Sequence, residues 1–257
     1  MAMELTILGS GTAIPFIDHA SPAYALFVKG EPVMLFDMGP GTLRQLNRIG
    51  VSHERIGRIF LTHYHPDHCA DLVHLFFATR NPRVIERRKP FVLTGPAGLT
   101  DFITSLNEAF DSWLELPRPI LQLREVNDRG VTEIDYDNFS IKTAPTGHTP
   151  QSLAYRVDSP DGKRVVFSGD TGFSEALIGL AAGADLLVLE AAFPDGEEVV
   201  GHLTPSSAGR LATLAGVDRL VLTHFYPESL SADVATQCRR TYAGELILAQ
   251  DLLRLCV

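Results

Sequence analysis

The chain has 257 residues and a formal net charge of -9, long enough for one large domain over residues 1–257 with a substantial core. A protein that tracks a long phosphate backbone usually presents a basic face, so the acidic balance argues against long nucleic acid as a partner. No apolar run reaches the roughly 18 residues a membrane helix needs, and the opening Met1-Ala2-Met3-Glu4 lacks a basic leader. The widely spaced Cys69, Cys238 and Cys256 fit a reducing cytoplasm better than a disulfide framework.

Residues 4–8 read as a first strand, followed by Gly9-Ser10-Gly11. No helix follows that loop, so it is not a dinucleotide fingerprint. Strands are expected at 24–28 and 33–36 around a turn at 29–32, and Asp37 precedes a helix over 42–49 stopped by Gly50. Residues 58–61, apolar and β-prone, then lead into Thr62-His63-Tyr64-His65-Pro66-Asp67-His68. Pro66 interrupts regular structure, and the apolar run 69–77 reads as a helix beginning just after the loop. A strand end, a tight loop and a helix start can aim four ligands into one small space. Neutral imidazole and carboxylate suit zinc and, less selectively, manganese or iron.

The basic cluster Arg80, Arg83, Arg87, Arg88 and Lys89 reads as a solvated loop, with a nucleic-acid contact as the second reading. A strand at 91–93, a turn at Gly95-Pro96 and a helix through Phe102, Leu106 and Phe110 follow. The segment from Trp113 to Pro119 reads equally as a wall of the substrate pocket, as ordinary packing or as a homodimer contact. Strands at 122–126, 139–143, 153–157, 164–168, 186–189 and 220–222 and helices at 174–182, 206–215 and 232–242 complete the chain. Strands dominate the N-terminal half, and the C-terminal half alternates strand and helix. His148, Asp170 and His224 each follow an apolar strand and a small residue, repeating the Leu61-Thr62-His63 arrangement. A lone histidine is more often structural than a ligand; the shared context is what singles these out.

His63-x-His65-x-Asp67-His68 resembles the signature of the metallo-β-lactamase superfamily. Gly147-His148-Thr149, Ser168-Gly169-Asp170-Thr171 and Leu222-Thr223-His224-Phe225 resemble its later motifs, in the same order. The resemblance implies an α/β (α+β) protein with a four-layer αββα sandwich, two facing sheets with helices outside and metals at one edge. It implies that His63, His65 and His148 hold one zinc, that Asp67, His68 and His224 hold the other, and that Asp170 bridges both. Asp37 is then expected to orient a ligating histidine from behind. Flavodiiron members carry a carboxylate where His65 stands, so histidine there points to hydrolysis rather than redox work. Two metals roughly 3.5–4 Å apart can share a water and lower its pKa toward neutrality, giving a bridging hydroxide as nucleophile. The site so assembled stays net positive, which suits a small anionic substrate such as a phosphodiester.

Residues 185–193, Gly201-His202-Leu203-Thr204, residues 8–15 and Leu35-Phe36-Asp37-Met38-Gly39 are similar to segments of the ribonuclease Z branch. That likeness makes His202 the expected proton donor to the leaving alkoxide and Glu190 the group that orients it; with Asp67 they form the expected catalytic set. The plainer reading of His202 is that it merely precedes a helix capped at Thr204 with Pro205 in its first turn. One departure stands out. His148 and Asp170 are 22 positions apart, whereas in the tRNA-processing enzymes this interval is several dozen residues longer and holds the arm that grips tRNA. The expectation is therefore a cytoplasmic, arm-less, ribonuclease Z-like enzyme with two zinc ions, hydrolysing a small or cyclic phosphodiester or a short RNA end. The alternatives are hydrolysis of a carboxylic ester, lactone or thioester, tRNA 3′ processing, and a non-catalytic metal-binding or partner-binding protein.

Overall fold

The computed structural model describes residues 3–127 and 130–257; Met1 and Ala2, part of the opening segment read above, lie outside them. The first half of the chain runs β1 (Met3–Gly9), β2 (Ala23–Val28), β3 (Val33–Phe36), α1 (Thr42–Arg48), β4 (Ile56–Phe60), α2 (Pro66–Cys69), α3 (Asp71–Thr79), α4 (Pro82–Arg87), β5 (Phe91–Pro96), α5 (Leu99–Ala109) and β6 (Leu121–Val126). The second half runs β7 (Thr132–Tyr136), β8 (Phe139–Pro145), β9 (Leu153–Asp158), β10 (Arg164–Phe167), α6 (Glu175–Ala181), β11 (Leu186–Glu190), α7 (Pro205–Ala215), β12 (Arg219–Thr223), α8 (Pro227–Leu230), α9 (Val234–Arg239), β13 (Glu245–Leu248) and β14 (Arg254–Cys256).

These strands form two seven-stranded sheets, ordered β14-β1-β2-β3-β4-β5-β6 and β13-β12-β11-β10-β9-β8-β7. Each sheet is antiparallel at one end and parallel from β3 to β6 or from β10 to β13. In β1, Leu5 and Ile7 join the core between the sheets while Leu8 joins a second core under α1 and α3. The period-2 alternation of a strand thus sends successive side chains to opposite faces. All five residues of β11 are buried, as expected of a parallel strand covered on both faces. Between the sheets, Phe36 stacks on Phe167 with ring centroids 4.0 Å apart and on Phe60 at 5.0 Å. Tyr155 packs against Phe36 and Phe60 and donates its hydroxyl to the Leu61 carbonyl at 2.8 Å. The layers are those of the αββα sandwich. Among the described residues no helix is long and apolar enough to cross a membrane.

Two local readings need correction. The helix expected over 69–77 is α3, Asp71–Thr79, but the loop expected before it is partly helical: Pro66 opens α2, because proline's fixed φ and missing N–H suit a first helical turn. Asp67 and His68 therefore sit in a helical turn rather than in a loop. The basic cluster spans a helix, α4, and the residues beside it, and the guanidinium groups of Arg80, Arg87 and Arg88 are held by the protein itself. Arg87 forms a two-pronged ion pair with Glu54 at 2.5 and 2.6 Å. Arg88 is buried over the Phe91 ring and donates to the His53 carbonyl at 2.6 Å. Arg80 donates to the carbonyls of Ser112 and Glu115.

The parallel strands deliver their carboxyl ends to one rim, the usual ligand edge of such sheets. Thr62 follows β4 there, Asp170 follows β10, Glu190 ends β11 and His224 follows β12. The aromatic stack lies behind this rim. Replacing Phe36 with alanine is expected to cost roughly 3–5 kcal/mol, read as a lower urea midpoint with an unchanged slope; a cost below about 1 kcal/mol would show that the stack does not hold the sheets together.

Candidate metal centre

Each candidate side chain reaches the rim by a separate device. His63 and His65 follow β4, and Asp67 and His68 project from α2. His148 sits on the β8–β9 connection, where Leu153 donates its N–H to the Thr62 carbonyl at 2.9 Å and so ties that connection to β4. Asp170 follows Gly169, whose φ is +58°. A Cβ there would lie 2.6 Å from Thr62 Cβ, so only glycine lets β10 end against the His63 strand. Gly39 is similarly constrained, since a Cβ would stand 1.9 Å from the Asp67 carbonyl oxygen. His224 has φ +61°, a costly conformation for a side-chain-bearing residue. It is held because its N–H and that of Phe225 both donate to the Ser10 carbonyl, at 3.0 and 3.2 Å.

The side chains converge in three overlapping sets, each with donor atoms within 4.8 Å of one another: His63, His65, His148 and Asp170; Asp67, His68 and His224; and Asp170, His202 and His224. Asp170 stands between the first two. Its Oδ2 faces His63 Nε2 at 3.8 Å and His148 Nε2 at 3.6 Å, and its Oδ1 faces His68 Nε2 at 3.1 Å and His224 Nε2 at 3.2 Å. Asp67 Oδ2 lies 3.6 Å from both His68 Nε2 and His224 Nε2. Despite these short distances, His63 Nε2, His68 Nε2, His224 Nε2 and Asp170 Oδ1 are buried without a hydrogen-bond partner among the described residues. Buried polar atoms normally find partners. Imidazole and carboxylate atoms aimed at a common point with none are what a metal-binding donor set requires, so these residues fit a metal.

The back of the site is better satisfied. Asp37 accepts from Thr62 N–H at 2.7 Å, Thr62 hydroxyl at 2.8 Å and His68 Nδ1 at 2.7 Å. His148 Nδ1 donates to the Gly201 carbonyl at 2.9 Å. Such contacts fix which ring nitrogen faces the centre. Electrostatics follow the packing. Burial first, then the neighbouring His68, hold His63 well below the usual imidazole pKa. Burial alone would lower His68 too, but Asp170 and Asp37 outweigh it and raise His68 well above the usual value. Burial opposes ionisation of Asp170, yet the surrounding imidazoles, His224 and His68 foremost, hold its carboxyl well below the usual range.

The expected catalytic pair also meets. His202 Nδ1 is 2.9 Å from Glu190 Oε1, which further accepts Thr171 N–H at 2.8 Å, while Oε2 accepts from Ala192 and Leu203 N–H, each at 3.2 Å. Burial lowers the His202 pKa, but the hydrogen bond and charge of Glu190 reverse this and leave it raised. The plainer reading of the neighbourhood is also realised, since Thr204 caps α7 in a capping box with Ser207. His202 precedes a capped helix and faces the cluster at once. Not foreseen were Ser10, which holds His224, and the stacked Phe193 and Tyr226 rings against His202 and His224. Trp113 lies elsewhere, lining a 610 Å³ apolar cavity with Val73, Phe77 and Phe110.

Two facing sheets flanked by helices, with His/Asp sets at one rim, define a metallo-β-lactamase-type protein. The chain belongs to the beta-lactamase superfamily, whose domain model matches residues 33–225. Among its relatives is the ribonuclease Z of Mycobacterium avium, 33% identical over 281 aligned positions covering 99% of this chain and 98% of the relative. That alignment is longer than the 257-residue chain, so the relative carries stretches this chain lacks. Among solved structures, human tRNase Z, short form, superposes with a TM-score of 0.79 at 28% identity, covering 98% of each chain. The metallo-beta-lactamase fold protein YhfI of Bacillus subtilis gives 0.83 at 23% identity, again covering 98% of each.

Asp37 is the residue on which the His68 orientation depends. Asp37→Asn is expected to leave the fold intact and weaken metal binding by roughly 10–100-fold, measured by competition with a chromophoric chelator; unchanged affinity would remove Asp37 from any orienting role.

Proposed function

We propose that the chain is a ribonuclease Z-like, dinuclear metal-dependent phosphodiesterase, acting as one domain over residues 1–257 on small or cyclic phosphodiesters or short RNA ends. The observation that carries this reading is the division of Asp170, with one carboxylate oxygen toward His63 and His148 and the other toward His68 and His224. His63, His65 and His148 would hold one metal, Asp67, His68 and His224 the other, with Asp170 placed to serve both. Zinc is the metal that suits this donor set best, with manganese and iron as substitutes. When bound, two such ions supply a water of lowered pKa and Lewis-acid stabilisation of an anionic transition state.

The chain's own residues do the rest. His202, held by Glu190 through Nδ1, presents its other face to the centre and gives its proton to the leaving oxygen. The hydrogen bond and charge of Glu190 outweigh burial and favour the protonated ring. Asp67 positions the face nearest His224.

The connection between His148 and Asp170 is filled by β9, β10 and the turn at Ser159, leaving no room for a tRNA-gripping arm. Together with the charge of -9, this supports small diesters over long RNA. Three scattered cysteines, all free, support a cytoplasmic setting. The exposed Phe77, Phe110 and Trp113 are where a homodimer would form.

The test is a panel of bis-p-nitrophenyl phosphate, a lactone and a thioester with the zinc-loaded protein. Turnover of the diester alone, or at least tenfold above the others, is expected, and preferential lactone or thioester hydrolysis would overturn the reading. The pH dependence follows from the sign of the His202 shift. The protonated ring is the active form, so the rate on an alkyl diester falls as pH rises through the raised His202 pKa. Glu190→Gln removes the stabilising charge and moves this fall to lower pH; a profile that stays in place would separate Glu190 from the acid.

A further inference from the structure

The group that leaves must pass the turn that carries its proton donor. His202 N–H donates to the Val199 carbonyl at 3.0 Å, and Gly201 carbonyl takes His148 Nδ1 at 2.9 Å, so residues 199–202 form a tight turn at the mouth of the centre. Apart from His202 itself, that turn carries no charged side chain. Val199 is 42% exposed and Val200 fully so, and the residues before them, Glu197 and Glu198, are exposed carboxylates. Phe173, 47% exposed, is brought to the same turn because Gly172 packs on Gly201, a Cβ on Gly172 standing 3.8 Å from Gly201 Cα. The Arg210 guanidinium lies 5.5 Å from the Phe173 ring centroid.

Single exposed apolar side chains are ordinary on a protein surface. Here two of them lie on the turn that leads into His202 and the third, Phe173, follows the glycine packed against that turn, with two carboxylates just before it; a general acid acts only within hydrogen-bond reach of the leaving oxygen. A polyanionic departing chain would meet Glu197 and Glu198; an uncharged hydrocarbon would meet Val199, Val200 and Phe173.

Building on the phosphodiesterase reading, we propose that Phe173, Val199 and Val200 form a leaving-group subsite for an uncharged apolar alcohol, so that the substrate is a phosphodiester whose departing half carries no further phosphate. In hydrolysis the P–O bond to that alcohol breaks with its electron pair on the oxygen, His202 supplies the proton, and water supplies the oxygen that joins phosphorus.

Thymidine 5′-monophosphate esters of methanol, hexanol and 3-hydroxypropanoate test this, with release of the nucleotide reporting departure of the alcohol. For the zinc-loaded protein, kcat/KM is expected to be at least tenfold higher for the hexyl than for the methyl ester and lowest for the anionic ester. Val199→Ser with Val200→Ser should bring the hexyl-to-methyl ratio close to one. Without turnover, 1-hexanol should shift the methyl NMR signals of Val199 and Val200. An anionic ester that matches the hexyl ester would show that Arg210 governs the subsite and overturn the proposal, as would a ratio insensitive to the double substitution. Hydrolysis of none of the three, with bis-p-nitrophenyl phosphate still cleaved, would also overturn it. Failure on every diester would instead overturn the phosphodiesterase reading on which it rests.

Discussion

Everything at the rim depends on one carboxylate placed between two groups of imidazoles. Asp170 is almost fully buried, an expensive place for a charge. What makes it tolerable is the ring of His63, His68, His148 and His224 nitrogens within 3.8 Å, which favours the ionised form. The converse also holds. Burial and the neighbouring imidazoles disfavour a proton on His63 and His148, whereas His68 has Asp37 behind it as well as Asp170 in front and favours one. A metal held by these residues would take the place of that proton.

The scaffold is arranged to hold this arrangement in place. The Thr62 carbonyl accepts from Leu153 N–H, Thr62 itself donates twice to Asp37, and Gly169 leaves just the space Thr62 fills. The Leu153 and Gly169 contacts cross between the two sheets, and the Tyr155 hydroxyl on the Leu61 carbonyl adds another. On the other flank, Asp251 near the C-terminus accepts Ser10 N–H at 3.0 Å and Ser10 hydroxyl at 2.9 Å, and the Ser10 carbonyl in turn holds the strained His224. Residues at opposite ends of the chain therefore set the His224 backbone.

The candidate ligands themselves were legible because the chemistry repeats in the sequence: an apolar strand, a small residue, then histidine or aspartate. Strands with continuous apolar runs, such as 186–190, could be read for the same reason. What could not be read were features with no local signal. Strands β7, β13 and β14 lie at sheet edges, where half-exposed polar residues blur the alternation. Asp251 and Ser10 are 241 positions apart, and nothing in either neighbourhood names the other. Arg87 and Arg88 looked available because sequence shows charge but not the Glu54 carboxylate or backbone carbonyls that engage it.

The central claim is that Asp170 joins two metal sites. Elemental analysis of the zinc-loaded protein and of Asp170→Ala, each with its melting temperature, tests it most directly. The account predicts about two zinc ions per chain in the parent and loss of most of the metal in the variant, because one substitution removes a ligand from both sites. Two ions retained by a folded Asp170→Ala protein would contradict it.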